Sequence, residues 1–171
     1  MSTFDLAFLL IRLAAGLTFA AHGAQKVFGW WGGPGLAGWQ GAIEHMGFRP
    51  ARLFTWISAL VELIGGLALA VGFLTPLAAA CVLAQTVVII GHAHWPHGFF
   101  NSKSGYEFPL QLGAIALAIG LGGAGAFSVD AALGLEISTT IRVVLLALGA
   151  AAGVVSLALP RLRAVDPAPA H

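Results

Sequence analysis

Arg12 and Glu62 each lie deep inside an apolar stretch long enough to cross a bilayer. An uncompensated charge is costly there, so each needs a partner or a task. Shallower positions carry His22, Lys26, His92, Tyr106 and Glu107, side chains that donate, accept or exchange protons. At about 100° per residue, Arg12, His22 and Lys26 fall within an arc of roughly 80° and make one polar stripe along a helix. Gln85 and His92 share a helix face in the same way, and His94 and His97 continue from them in a His-x-His-x-x-His run.

Depth suggests how these groups meet. Arg12 is about 21 Å along its helix from Lys26, and Glu62 about 15 Å from Arg52. With both loop ends taken as level, the two charges reach similar depths, and an ion pair between Arg12 and Glu62 is expected. Its plain role is a structural staple between the first two membrane helices. Three imidazoles within the histidine run could hold zinc, copper or iron. Pro96 breaks their register and no carboxylate is placed beside them, so hydrogen bonds to the loop or to lipid headgroups are the expected role, and no metal is assigned. Glu107 stands at the entry to a helix, where it pairs with Lys26 or complements the helix N-terminus. His22, Lys26, His92, Asn101, Tyr106 and Glu107 thus converge on one end of a bundle, with Gln85 below them, and that end is the expected site.

The elements that position them follow from apolar runs and their breakers. Hydrophobic residues make up 58% of the 171 residues and charged residues 9%, which places the chain among integral membrane proteins. Five runs are bounded by glycine, proline or charge: 4–28, 53–73, 76–91, 108–121 and 141–159. Pro76 and Pro109 each fall in a first helical turn, where proline is tolerated. Four runs approach the roughly 20 residues that span a hydrocarbon core, and the fourth in order is short unless it extends to Ala126. The predicted fold is an all-α membrane protein. Residues 1–126 form a four-helix membrane domain, residues 127–160 an outer loop and a fifth transmembrane helix, and residues 161–171 a flexible tail.

All five tryptophans fall in or beside the first and third loops, as in an interfacial aromatic belt. Leu36, Trp39, Ile43 and Met46 recur at helical spacing, which predicts a short interfacial helix between Trp31 and Pro50. Lys26, Arg49, Arg52, Lys103, Arg161 and Arg163 share one side of five crossings. The positive-inside rule then puts the N-terminus outside and the C-terminus in the cytoplasm. The first run has no preceding positive charge and is expected to remain as a helix rather than be cleaved as a signal peptide.

Other classes are excluded. A net charge of +1 without a basic run leaves no surface for nucleic acid. Cys81 is the only cysteine, so no disulfide or Cys-x-x-Cys redox pair exists, and its expected role is packing. No Gly-x-Gly-x-x-Gly fingerprint follows a strand, and no Walker loop or haem-attachment motif occurs, so no intrinsic cofactor is evident.

Taken together, Arg12, His22-Gly23-x-x-Lys26-x-Phe28-Gly29, Gly32-Gly33-x-Gly35, Gly47-Phe48-x-Pro50, Glu62-x-x-Gly65-Gly66, Asn101 and Glu107 resemble the DoxX family of small bacterial membrane proteins. The resemblance runs from about Phe4 to Ala126 and implies a compact four-helix bundle in the bacterial inner membrane, to which a fifth helix is added. The wider superfamily includes the large subunit of thiosulfate:quinone oxidoreductase and eukaryotic sterol- and lipid-handling membrane proteins. It implies a quinone-linked oxidoreductase subunit, with quinone as bound substrate and His22, Lys26 and Glu107 as candidate catalytic residues. His92, Asn101, Tyr106 and Gln85 would then contact the quinone. Electrons would come from a reduced sulfur compound or from a redox partner subunit carrying a cofactor. The alternative is a non-catalytic lipid-binding or scaffold protein. The partners to test are quinone or membrane lipid, a redox subunit and a second copy of the chain.

Overall fold

A computed structural model describes residues 3–164 as helices and connecting loops. The first apolar run forms α1, Thr3–Phe28. Gly29 ends it with φ 71°, a left-handed conformation that glycine adopts without steric cost. The first loop contains α2, Gly35–His45, the interfacial helix expected from the Leu36–Met46 spacing.

The second run is α3, Ala51–Val71, and the third is α4, Thr75–His97. Each contains one π-helical turn, Val61–Gly65 in α3 and Ile90–His94 in α4. A π turn re-aims the side chains around it and often marks a functional position. Here the two turns carry Glu62, His92 and His94. α5 is Glu107–Gly122, followed in the outer loop by the short α6, Val129–Ala132. α7 is Thr139–Ala164, so it continues beyond the start expected for the tail at residue 161. Residues 165–171 lie outside the described residues.

Among the described residues, α1, α3, α4 and α7 are long and apolar enough to cross a membrane. α5, with 16 residues, is about 24 Å long, short of a roughly 30 Å hydrocarbon core. Large apolar side chains on the outer faces remain exposed, including Leu10, Leu17, Ile64, Leu77 and Val154, as expected where lipid is the solvent. The chain is an all-α, multi-pass membrane protein.

Close approach of the helices depends on small residues. A Cβ added to Gly16 would lie 2.5 Å from the Ala70 nitrogen, and one added to Gly66 would lie 2.5 Å from the Ala20 nitrogen. α1 and α3 therefore cross backbone to backbone, without room for a side chain between them. α7 docks on α4 through Gly149 and Gly153, whose added Cβ atoms would meet the carbonyl oxygens of Ala80 and Ala84. The main core joins Ala15 and Phe19 of α1 to Leu69, Val82, Leu112, Ile119 and Leu146. A second cluster around Ile43, Phe48 and Ala51 holds α2 against the bundle.

Candidate functional site

The antiparallel register of α1 and α3 decides which charges meet. Gly16 faces Ala70 and Gly23 faces Leu63, so Lys26 stands opposite Glu62, while Arg12 stands opposite the far end of α3. Lys26 Nζ donates to Glu62 Oε1 and forms an ion pair with it. Gln85 Nε2 donates to the same oxygen at 3.0 Å. Glu62 is 1% exposed, and its Oε2 accepts no hydrogen bond from the described residues.

The expected Arg12–Glu62 pair is therefore corrected. Arg12 donates through Nε, Nη1 and Nη2 to the carbonyls of Ala70, Ala124 and Phe127. It anchors the outer loop at the opposite end of the bundle. The two loop ends taken as level are not level, because the small residues that let α1 and α3 touch slide one helix along the other. Alignment of Gly16-x-x-x-Ala20 with Gly66-x-x-x-Ala70 was the sequence signal for this register.

Two more charged groups order the same outer end. Asp130 accepts the N–H groups of Leu74 at 2.7 Å and Thr75 at 2.9 Å, placing a carboxylate at the N-terminus of α4, where it is favourable. Arg142 donates to the carbonyls of Ile137 and Leu121. Together these bonds occupy backbone groups that a loop near hydrocarbon must otherwise expose.

Around the Lys26–Glu62 pair lies a cavity of about 310 Å³, walled by Phe19, His22, Lys26, Trp39, Glu62, Ile89, Ala93, His94, Phe108, Pro109 and Leu112. Residues from α1 to α5 contribute to it. His22 and Phe108 are exposed at its rim and meet edge to face, with ring centroids 6.2 Å apart. The site residues are thus few and polar in an otherwise apolar chamber, the usual character of a small-molecule site.

Trp39 forms a partition. Lys26 Nζ sits 3.9 Å from the centroid of its ring, a cation–π contact, and its Nε1–H donates to Ser58 Oγ at 2.6 Å. Trp39, Ile89 and Ala93 also line a second cavity of about 110 Å³, which includes Ser58, Gln85, His92 and Ser156. The Glu62–Gln85 hydrogen bond links the walls of the two chambers.

The expected site residues thus divide into three groups. His22 and Lys26 line the larger chamber, joined by Glu62 and His94. Gln85 and His92 line the smaller one, where the His92 ring meets Phe48 at 4.9 Å. Asn101, Tyr106 and Glu107 line neither chamber. Glu107 accepts the Asn101 N–H at 3.0 Å, which corrects its expected pairing with Lys26, and Tyr106 stacks on Trp95 at 5.3 Å. These three organise the loop between α4 and α5. The histidine run also spreads: His94 Nδ1 meets the Ser104 carbonyl and His97 Nδ1 the Ala93 carbonyl. Among the described residues no three His, Cys, Asp or Glu side chains gather as metal ligands.

Sequence reasoning assigned Glu62 to structural support and Trp39 to the interfacial belt. Both line the larger chamber. The signal for Trp39 was local, an indole on the apolar stripe of α2, whereas that for Glu62 lay in the helix register that sets it level with Lys26.

Comparison with known proteins bears on the same region. A search of curated proteins and of solved structures finds no match to the chain. The family profile described as DoxX matches residues 7–95. That stretch carries Arg12, His22, Lys26, Trp39, Glu62, Gln85, His92 and His94, so both chambers are built largely within it. It covers more than half of the 171 residues, and the chain belongs to the DoxX family.

Proposed function

We propose that the chain is a quinone-linked subunit of a membrane oxidoreductase, with the larger chamber as the seat of the quinone ring. The observation that carries this reading is a buried Lys26–Glu62 pair, braced by Gln85, in an apolar chamber whose rim is open at His22 and Phe108. A ligand dissolved in the bilayer enters sideways through that rim. Its ring packs against Trp39 and Phe108, and Lys26, His22 and His94 offer donors to its oxygens.

Conversion of quinone to quinol takes two electrons and two protons. The protons pass through His22 and His94, whose imidazole nitrogens can donate or accept them, and the Lys26–Glu62 pair holds the ring in place. The electrons come from a reduced sulfur compound or from a partner subunit that carries a cofactor. The site lies on the side assigned to the cytoplasm by the positive-inside rule.

The test is to extract the full chain with its native lipid, identify the co-purified small molecule by mass spectrometry, and measure quinol formation with candidate donors in proteoliposomes. Bound quinone, with turnover that falls in Lys26→Ala, supports the reading. A tightly held lipid, with no quinone and no turnover, overturns it in favour of a lipid-binding scaffold.

A further inference from the structure

Resting on the ring-binding reading, we propose that the larger chamber selects an aromatic ring bearing a hydroxyl group, so that it holds a quinol or phenol in preference to the corresponding quinone or ether. The argument begins at Glu62. Its Oε1 already receives Lys26 and Gln85, while Oε2 is buried and accepts nothing from the described residues. An ionised carboxylate is only an acceptor, and a buried acceptor without a donor is unfavourable. Glu62 lines the chamber, and a ligand seated against it can supply that donor.

The walls narrow the donor's chemistry. Phe19, Trp39, Ile89, Phe108, Pro109 and Leu112 are apolar or aromatic, which suits a flat ring that partitions into the bilayer. The Lys26 ammonium beside Glu62 repels a cationic donor, which sets aside an amine. A quinone presents only carbonyl acceptors to this carboxylate, whereas a quinol presents O–H. A hydrogen bond to a charged group corresponds to about tenfold or more in affinity. Tenfold tighter binding of the reduced ring raises the two-electron potential of the bound couple by about 30 mV, which favours electron flow from donor to quinone.

The experiment uses the full chain in lipid nanodiscs and four probes: a decyl-substituted benzoquinone, its quinol kept under anaerobic conditions, a long-chain alkylphenol, and the methyl ether of that phenol. The last two are not interconverted by electron transfer, so they isolate the hydroxyl. The expected result is that quinol exceeds quinone, and phenol exceeds ether, by about tenfold or more. Both ratios fall to roughly unity in Glu62→Gln, whose amide can donate to a ring carbonyl.

The phenol–ether comparison on the unmodified protein stands even if that variant does not fold. Equal binding of phenol and ether overturns the hydroxyl preference while leaving the ring site intact. Binding of none of the four overturns the quinone reading and this inference with it. Diacylglycerol that displaces the phenol at equal concentration overturns the choice of an aromatic ring over a lipid hydroxyl.

Discussion

At the scale of single residues, the ion pair and the isolated arginine call for different substitutions. Lys26 and Glu62 are nearly inaccessible, with side chains 12% and 1% exposed. Removing one partner leaves a buried charge, so Lys26→Met or Glu62→Leu alone is expected to cost about 3–5 kcal/mol. The double change Lys26→Met with Glu62→Leu recovers most of that loss, because an apolar pair needs no solvation in this chamber. Thermal unfolding in detergent measures the stability, and quinol binding is expected to fail in all three variants. Exchange of charge between Arg12 and Glu62 is expected to restore nothing, since Arg12 serves the carbonyls of Ala70, Ala124 and Phe127. Arg12→Met frees the outer loop, which is read as faster hydrogen exchange at residues 124–128 with ligand binding in the larger chamber retained. The polar residues themselves were legible in the sequence. Their pairing was not, because a difference of a few residues in helix register moves a partner by a full turn.

The helices present their own tests. α1 reaches the π turn of α3 so closely that a Cβ on Gly23 would lie 2.3 Å from the Leu63 nitrogen. Gly23→Ala is expected to push α1 away from that turn, separate Lys26 from Glu62 and weaken quinol binding by about tenfold or more, as measured in nanodiscs. α2 bears on the site through Trp39, which separates the chambers and holds the Lys26 ammonium against its ring. Trp39→Ala joins the two spaces, so bulkier rings bind relatively better and the small alkylphenol relatively worse, measured by competition between the two. Helical periodicity located α2 from Leu36, Trp39, Ile43 and Met46. It did not locate the π turns, since they add one residue to a turn without a distinctive composition, and those turns set the directions of Glu62, His92 and His94.

Across the whole molecule, an apolar exterior and a short α5 shape the relation to the membrane. α5, about 24 Å long, packs one face on α1, α4 and α7, and the loop before it is tied back by bonds such as Glu107 N–H to the Phe99 carbonyl at 2.8 Å. The bundle therefore incorporates a helix that hydropathy alone leaves marginal. With five crossings, the proposed orientation places the end with the two chambers, and the C-terminus, in the cytoplasm. A green fluorescent protein fused after His171 is expected to fluoresce in a bacterial host, and a periplasmic alkaline phosphatase fused there is expected to be inactive. The opposite pair of results reverses the orientation. The outer end, tied by Arg12, Asp130 and Arg142, then faces away from the cytoplasm and serves to close the bundle.

Composition and the spacing of breakers were enough to determine an all-α membrane protein and the order of its helices, and helical periodicity was enough for α2, because hydrophobic run length and turn residues act locally along the chain. The family was legible only as a resemblance of motif residues. Only the tertiary structure decided that Glu62 meets Lys26, that Arg12 holds the outer loop, and that Trp39 divides two chambers. Those outcomes depend on how far one helix slides against another, and Gly16, Gly23 and Gly66 settle that distance by letting backbones touch.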